Sequence, residues 1–511
     1  MFKENEHIAK RDSFIGTKAI YDRWIREKNI NWDEDLSGPF VVGLVEKKTG
    51  RFHVVTDMMS FIPVYKYQQK NVLVLGTHAD LVSRLADNKE NIDLVSLADF
   101  ILNGVITYPY TLYKHIFQLE PSTSLIIDND SLKQHQYWLP VEDYSSFNID
   151  VAAEVINTSF KEYISKIVKS SRKVGLLLSG GEDSRVVGYY LPKFTTAITL
   201  LDANNREGNI ARKVADKYSF KHKVVLRSKL RYLEVLEQCS DLVGTGSQYT
   251  HGHTYGFEQQ LNLTSFDSIF GGFLSDTLLK GFRIPIKWKM LNFLPQIKTR
   301  QNWDSSAFNI LKRDVFKKLK KRQEAHLEKI RKFRFKSAEE WFFLWPINMH
   351  MDTPNIHFNR RLFKSYEPYI TNKILKQMAN VPQEWKLNRR LFHRAFKNSL
   401  IETKNIQHGD GRFPHLPWYI NSLILLPITT YRLLLKYLKL QKNEGPWCDW
   451  KYLIGSSLYL NMVTKFKRGY RYISKIIKNK NVGKKSTELL SINQKVNMLQ
   501  ASYQIYKKNE N

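Results

Sequence analysis

The stretch that most constrains this chain is an apolar run, Val174 to Leu178, followed by Ser179-Gly180-Gly181-Glu182-Asp183-Ser184 and then by a helical pattern to Leu191. The apolar run reads as a buried strand, and Ser184 to Leu191 as the start of a helix. The glycine turn therefore sits at a helix N-terminus, where free N–H groups and the helix dipole favour an anion. Gly180 and Gly181 let the backbone approach that anion without a Cβ in the way, and Ser179 and Ser184 add hydroxyl donors. Asp183 should repel a phosphate unless it holds Mg²⁺ that bridges to one.

The pattern around this turn sets the fold class. Helix at 151–168, strand at 173–178, helix at 184–190, strand at 194–201, helix at 209–218 and strand at 222–226 alternate. Such alternation predicts a parallel α/β sheet with its ligand at the C-terminal ends of the strands. Residues 1–145 read differently, with strands at 40–45, 52–56, 72–77 and 122–128 and a helix at 94–102. The polar stretch 142–148 marks a boundary between them. From Lys280 onward the pattern is mostly helical. Three regions follow: 1–145, 146–417 and a basic helical extension, 418–511.

With 511 residues, 42% of them hydrophobic, the chain has material for two or three packed domains. Its two cysteines, Cys239 and Cys448, give no disulfide framework and no Cys-rich metal site, which points to a reducing compartment. The charged start, Met1 to His7, lacks a signal-peptide core, and a cytoplasmic protein is expected. The most apolar later stretch, 420–435, is broken by Asn421, Pro427 and Arg432 and reads as a buried helix pair rather than a membrane span. Lys and Arg number 79 against 49 Asp and Glu, for a formal charge of +30. The excess peaks at 312–336, where Val315, Leu319, Leu327 and Ile330 form the apolar stripe of a helix, and again at 465–485. Both read as solvated faces. Nucleic acid is not expected as a partner, while peripheral contact with an anionic membrane or polymer, and a homodimer, stay open.

The string Ser-Gly-Gly-x-Asp-Ser resembles the pyrophosphate loop of enzymes that cleave ATP between its α- and β-phosphates. It lacks the Gly-Lys-Ser/Thr ending of a Walker loop. Further segments resemble the asparagine synthetase family over about residues 37–415. They are 211–216 after the strand 198–201, then Gly271-Gly272-Phe273-Leu274-Ser275-Asp276-Thr277, and Lys404 to Gly411. Asp57 to Tyr65, 92–102, 119–122 and 136–138 are similar to the second half of that family's glutamine-hydrolysing domain. The resemblance implies an N-terminal-nucleophile amidotransferase-like α+β domain, degenerate here, then a parallel-sheet ATP-pyrophosphatase (HUP-like) domain with a helical C-terminal extension. It implies ATP and Mg²⁺ as cofactors. Adenine would lie on Leu178 and Leu200, and phosphates on Ser179, Gly180, Gly181 and Ser184, with Gly271 and Gly272 beside them. Asp183 and Asp276 would hold the metal, and Lys404 would serve as catalytic cation.

The departures are informative. The family's nucleophilic cysteine follows the initiator methionine. Position 2 here is Phe2, and no cysteine precedes Cys239. A thiolate nucleophile cannot be replaced by phenylalanine, so no glutaminase is expected, as in the β-lactam-forming and lasso-peptide-cyclising branches. Phe273 stands where relatives carry Glu or Tyr, leaving Tyr249, His251, His253 and Tyr255 as nearby proton acceptors. Thr277 replaces a second acid. The expected reaction is adenylation of a small-molecule or peptide carboxylate and its transfer to ammonia or an amine. A macrolactam-forming synthetase, a tRNA-modifying enzyme and a catalytically impaired binding protein are the rival readings.

Overall fold

The computed structural model describes residues 14–27, 30–88, 91–128, 131–144, 148–289, 291–300, 310–350, 353–438, 440, 449–478 and 490–508. The N-terminal region is built from β1 (Val41–Glu46), β2 (Arg51–Thr56), β3 (Tyr65–Gln69), β4 (Val72–Gly76), β5 (Ile116–Gln118), β6 (Thr123–Asp128) and β7 (Ser131–Gln136). These form two antiparallel sheets, ordered β1-β2-β6-β7 and β4-β3-β5. Val54, Val64, Leu119 and Leu125 make a small core there. The helix Leu94–Asn103 starts where the Asp93 carboxylate accepts from the N–H groups of Val95 and Ser96, and it stops at Gly104, φ +72°. Sequence pattern missed β7 because Ser131 to Gln136 is a polar, largely exposed edge strand with no apolar face to read.

The second region opens with the helix Ile149–Val168, whose Ala152, Ile156, Phe160, Ile164 and Ile167 are buried at helical spacing. Five parallel strands follow: β8 (Val174–Leu177), β9 (Thr196–Leu201), β10 (Lys221–Leu226), β11 (Ser268–Phe270) and β12 (Ser365–Tyr366). Their order is β10-β9-β8-β11-β12. The chain starts at the centre, winds outward to β10, then returns to the other side of β8. The reversal lies between β8 and β11, and ligands of open parallel sheets bind in the crevice at that point.

The C-terminal helices do more than extend the second region. Ile473, Ile477, Met498, Ala501 and Ile505 share a core with Leu97, Phe100 and Ile101 of the N-terminal helix, together with Val315 and Leu319 of the helix Arg313–Arg331. The basic stretch after Lys465 is thus in part a packed helix, Lys467–Ser474. A Cβ on its Gly469 would lie 2.2 Å from the Ser502 carbonyl oxygen, so this helix touches Ile492–Lys508 backbone to backbone.

The expected buried helix pair at 420–435 is not what forms. One helix, Trp418–Tyr437, runs through it and buries only Asn421, Leu425 and Thr429. Its docking side is partly polar: the Asn421 amide group donates to the carbonyls of Phe413 and Leu416 and accepts from the Phe413 N–H. Among the described residues no helix is long and apolar enough to cross a membrane.

Candidate nucleotide site

The glycine turn after β8 lies at the crevice. Gly181 is the N-cap of the helix Glu182–Tyr189 and supplies no side-chain cap, so the helix presents bare N–H groups. The turn is braced from inside, with the Ser184 hydroxyl 3.2 Å from both the N–H and the hydroxyl of Ser179. The Gly180 N–H donates at 2.6 Å to a carboxylate, that of Glu207 from the next helix, Arg206–Lys217. A Cβ on Gly180 would meet that carboxylate at 2.9 Å. A carboxylate is therefore seated on the backbone of the turn. Beside Glu207 a cavity of about 240 Å³ opens between Leu201, Asn205, Gly208, Arg212 and Val224.

The loop after β11 meets the same helix start. A Cβ on Gly272 would lie 2.9 Å from the Ser184 nitrogen and 3.0 Å from Asp183, so only glycine permits this approach. Asp183 and Asp276 are brought together, and what joins them is Lys280. Its ammonium is 2.7 Å from Asp183 Oδ1, 2.5 Å from Asp276 Oδ1 and 3.1 Å from Glu182 Oε1. The same ammonium lies 4.8 Å from the centroid of the Phe392 ring. Burial pushes the Asp183 carboxyl up, with Lys280 opposing. Burial also acts to raise Asp276, but Lys280, Arg412 and His408 outweigh it and hold that carboxyl below its ordinary range.

Glu182, wholly buried, anchors the cluster through Lys280, a forked pair with Arg389, and Arg412 at 3.1 Å. Arg412 also pairs with Asp410 at 2.9 Å. The segment carrying Lys404 is clamped to the turn by the buried Arg185, whose guanidinium donates to the carbonyls of Gly180, Ile406 and Gln407. Lys404 itself is exposed, just beyond the helix Lys397–Glu402. His408 Nε2 lies 4.0 Å from where a Gly181 Cβ would be, and burial with Arg412 lowers its pKa to about 4, so the imidazole is neutral near pH 7.

Leu178 and Leu200 do not form one clamp. Leu178 is packed in the main core with Leu176, whereas Leu200 packs against Ile198 and Val225 in another cluster. Side chains alternate across a strand, so these two leave by opposite faces. Phe273 is half-buried, and its N–H donates to Glu367 at 3.1 Å. Glu367 is buried under Gly271, whose Cβ would meet it at 2.5 Å, and burial raises its pKa to about 7. The Thr277 hydroxyl bonds the His350 ring at 2.7 Å. Tyr249 belongs to the core shared with Val496, Leu499 and Tyr503, Tyr255 packs against that core, and the His253 ring bonds the Tyr232 hydroxyl. Sequence reading missed Lys280, Arg185, Glu207, Glu367, Arg389 and Arg412. Lys280, four residues after Asp276 and just past the end of the short helix Ser275–Leu278, and Arg185, next to the motif, carried a local signal. The others arrive through tertiary folding alone.

The family model for a glutamine amidotransferase domain matches residues 22–138, and that for asparagine synthase matches residues 156–403. The chain belongs to the asparagine synthetase family. A relative from Methanocaldococcus jannaschii, named "Putative asparagine synthetase (glutamine-hydrolyzing) 2", is 24% identical over 281 residues. That alignment covers 51% of this chain, which spans about half (54%) of the relative's length. The asparagine synthetase resemblance implies Mg²⁺ on Asp183 and Asp276. The arrangement does not fit a magnesium ion between them: the Lys280 ammonium fills the gap, and no group of three or more metal-ligating side chains occurs among the described residues. Charge balance in this crevice comes from Lys280 and Arg412.

Proposed function

We propose that the chain is an ATP-dependent, amide-forming synthetase that releases AMP and pyrophosphate. The observation that carries this reading is the carboxylate on the Gly180 N–H: a strand-to-helix turn at the sheet's reversal point already binds an anion. ATP phosphates take the place of Glu207 on the turn, against Gly180, Gly181 and the hydroxyls of Ser179 and Ser184. Lys280 and Arg412 hold positive charge beside the departing pyrophosphate, a preorganised arrangement that favours charge separation. A substrate carboxylate oxygen attacks the α-phosphorus, the α–β bridge breaks, and an acyl-adenylate forms. Ammonia or an amine then attacks the acyl carbon and AMP leaves. The proton shed by nitrogen goes to solvent water, because His408, held at a pKa of about 4, is too weak a base to keep it. Lys404, exposed on a clamped segment, is the mobile cation that follows the developing charge.

The nitrogen does not come from glutamine hydrolysed by this chain. Residues 1–238 contain no cysteine, and the matched amidotransferase region serves as scaffold: the Ile347 N–H donates to the Met59 carbonyl, and the His357 ring bonds that of Phe61.

The test is a panel of carboxylic acids assayed for ATP–pyrophosphate exchange, with glutamate release followed in parallel. Acid-dependent exchange with AMP as product and no glutamate release is expected. ADP formation, or no ATP binding at all, would overturn the reading, the latter favouring a catalytically impaired relative.

A further inference from the structure

A second cavity, of about 430 Å³, opens where the N-terminal region meets the helix Arg313–Arg331, and its wall shares no residue with the nucleotide crevice. Tyr108, Tyr110 and Phe117 give it aromatic sides, with the Tyr110 and Phe117 rings 6.0 Å apart and edge to face. Phe117 is 40% exposed, so its ring is open to a ligand. Three cations stand among these rings. The Arg322 guanidinium lies 3.8 Å from the centre of the Tyr110 ring and pairs with Asp93 at 2.7 Å. The Lys329 ammonium lies 5.3 Å from the centre of the Tyr108 ring and pairs with Glu120. Lys66 stands opposite Phe117 in the register of β3 and β5, so the two side chains share a face of the sheet. Among the described residues the half-buried Lys66 has no ion pair and no side-chain hydrogen bond. His326 also lines the cavity and adds no charge, because burial lowers its pKa to about 4.

We infer that this cavity binds a small organic anion with a flat apolar body, of the aromatic carboxylate class. Aromatic walls with a few placed charges, in a space of about 300–1,000 Å³, are the marks of a small-molecule site. The charges choose the sign of the ligand. Arg322 and Lys329 have their carboxylates, whereas Lys66 has none, and a cationic ligand would meet three like charges. Ring faces can attract a cation, but those of Tyr110 and Tyr108 already carry Arg322 and Lys329. Cross-strand neighbours stand about 5 Å apart at Cβ, so a flat ring lies along Phe117 while its carboxylate accepts from the Lys66 ammonium. The wall is drawn from two regions. Lys66 and the aromatic side chains come from the part matched to amidotransferases, and Arg322 and Lys329 from the part matched to asparagine synthase. The ligand therefore bridges the two.

The full chain is titrated with naphthoate by calorimetry, beside uncharged naphthamide and cationic naphthylmethylammonium. One site that prefers naphthoate to either by about ten-fold or more is expected, the gain of a hydrogen bond between charged groups. Lys66→Gln should erase that preference and Lys66→Arg should keep it. Phe117→Ala should weaken naphthoate and naphthamide alike, by about three-fold or more. Lys66 has no partner to lose and Phe117 is partly exposed, so melting temperatures close to the parent's are expected. The inference is overturned by absence of binding, by naphthamide or the ammonium binding as tightly as naphthoate, or by Lys66→Gln binding like the parent. It is equally overturned by binding that saturating ATP abolishes and Lys66→Gln leaves intact, which assigns the anion to the nucleotide crevice.

Discussion

Lys280 is the residue on which the site turns. It holds Asp183, Asp276 and the buried Glu182 together, and a buried charge stripped of its partner is costly. Lys280→Met is expected to lose about 3 kcal/mol of stability at neutral pH and to bind ATP at least ten-fold more weakly. The Asp183 carboxyl is already raised by burial. A raised folded pKa gives stability that is lost as pH rises, so the variant's deficit should shrink in acid. Denaturant melts from pH 5 to 8 check this, and equal stability throughout would show that the ammonium does not hold the acids. Glu367 offers a cleaner titration. Its pKa of about 7 in the folded chain, against about 4.3 unfolded, means that its stabilising contribution is complete at low pH and lost as pH rises through 7. Glu367→Gln should therefore reduce the stability difference between pH 5 and pH 8 by about 2 kcal/mol. An unchanged difference would contradict the burial argument. Legibility at this scale was uneven. Asp183 and Asp276 stood out as acids beside anion-binding glycines, whereas Lys280 was hidden as one of 79 basic residues.

At the scale of elements, two turns from separated strands meet because one residue has no side chain. Gly272→Ala would place a Cβ 2.9 Å from the Ser184 nitrogen. Overpacking of this kind costs about 1–3 kcal/mol, and here it also separates the two loops. Weaker ATP binding with a lowered melting temperature is expected, and a variant unchanged in both would show slack between the loops. The elements of the parallel sheet were legible because buried strands and amphipathic helices keep distinct periods. The strands β8, β9 and β10 and the helices around them fell within a few residues of expectation. The helix Trp418–Tyr437 was misread for a physical reason. Apolar pattern implies burial only when the apolar face meets protein, and here a side anchored by Asn421 does so.

At the scale of the molecule, the order β10-β9-β8-β11-β12 brings the Gly180 turn, the Gly272 loop and the clamped segment 404–412 to one crevice. No local pattern announces that convergence, since Arg389 and Arg412 reach Glu182 across more than 200 residues. Nor did the sequence show that the last helix, Ile492–Lys508, completes the core of the N-terminal region. The central claim is that this crevice receives the nucleotide. Photolabelling with 8-azido-ATP followed by peptide mapping tests it most directly. Label confined to peptides spanning 174–217 or 268–280 and suppressed by excess ATP is the expected result. Label that maps elsewhere, or that ATP does not suppress, would contradict it.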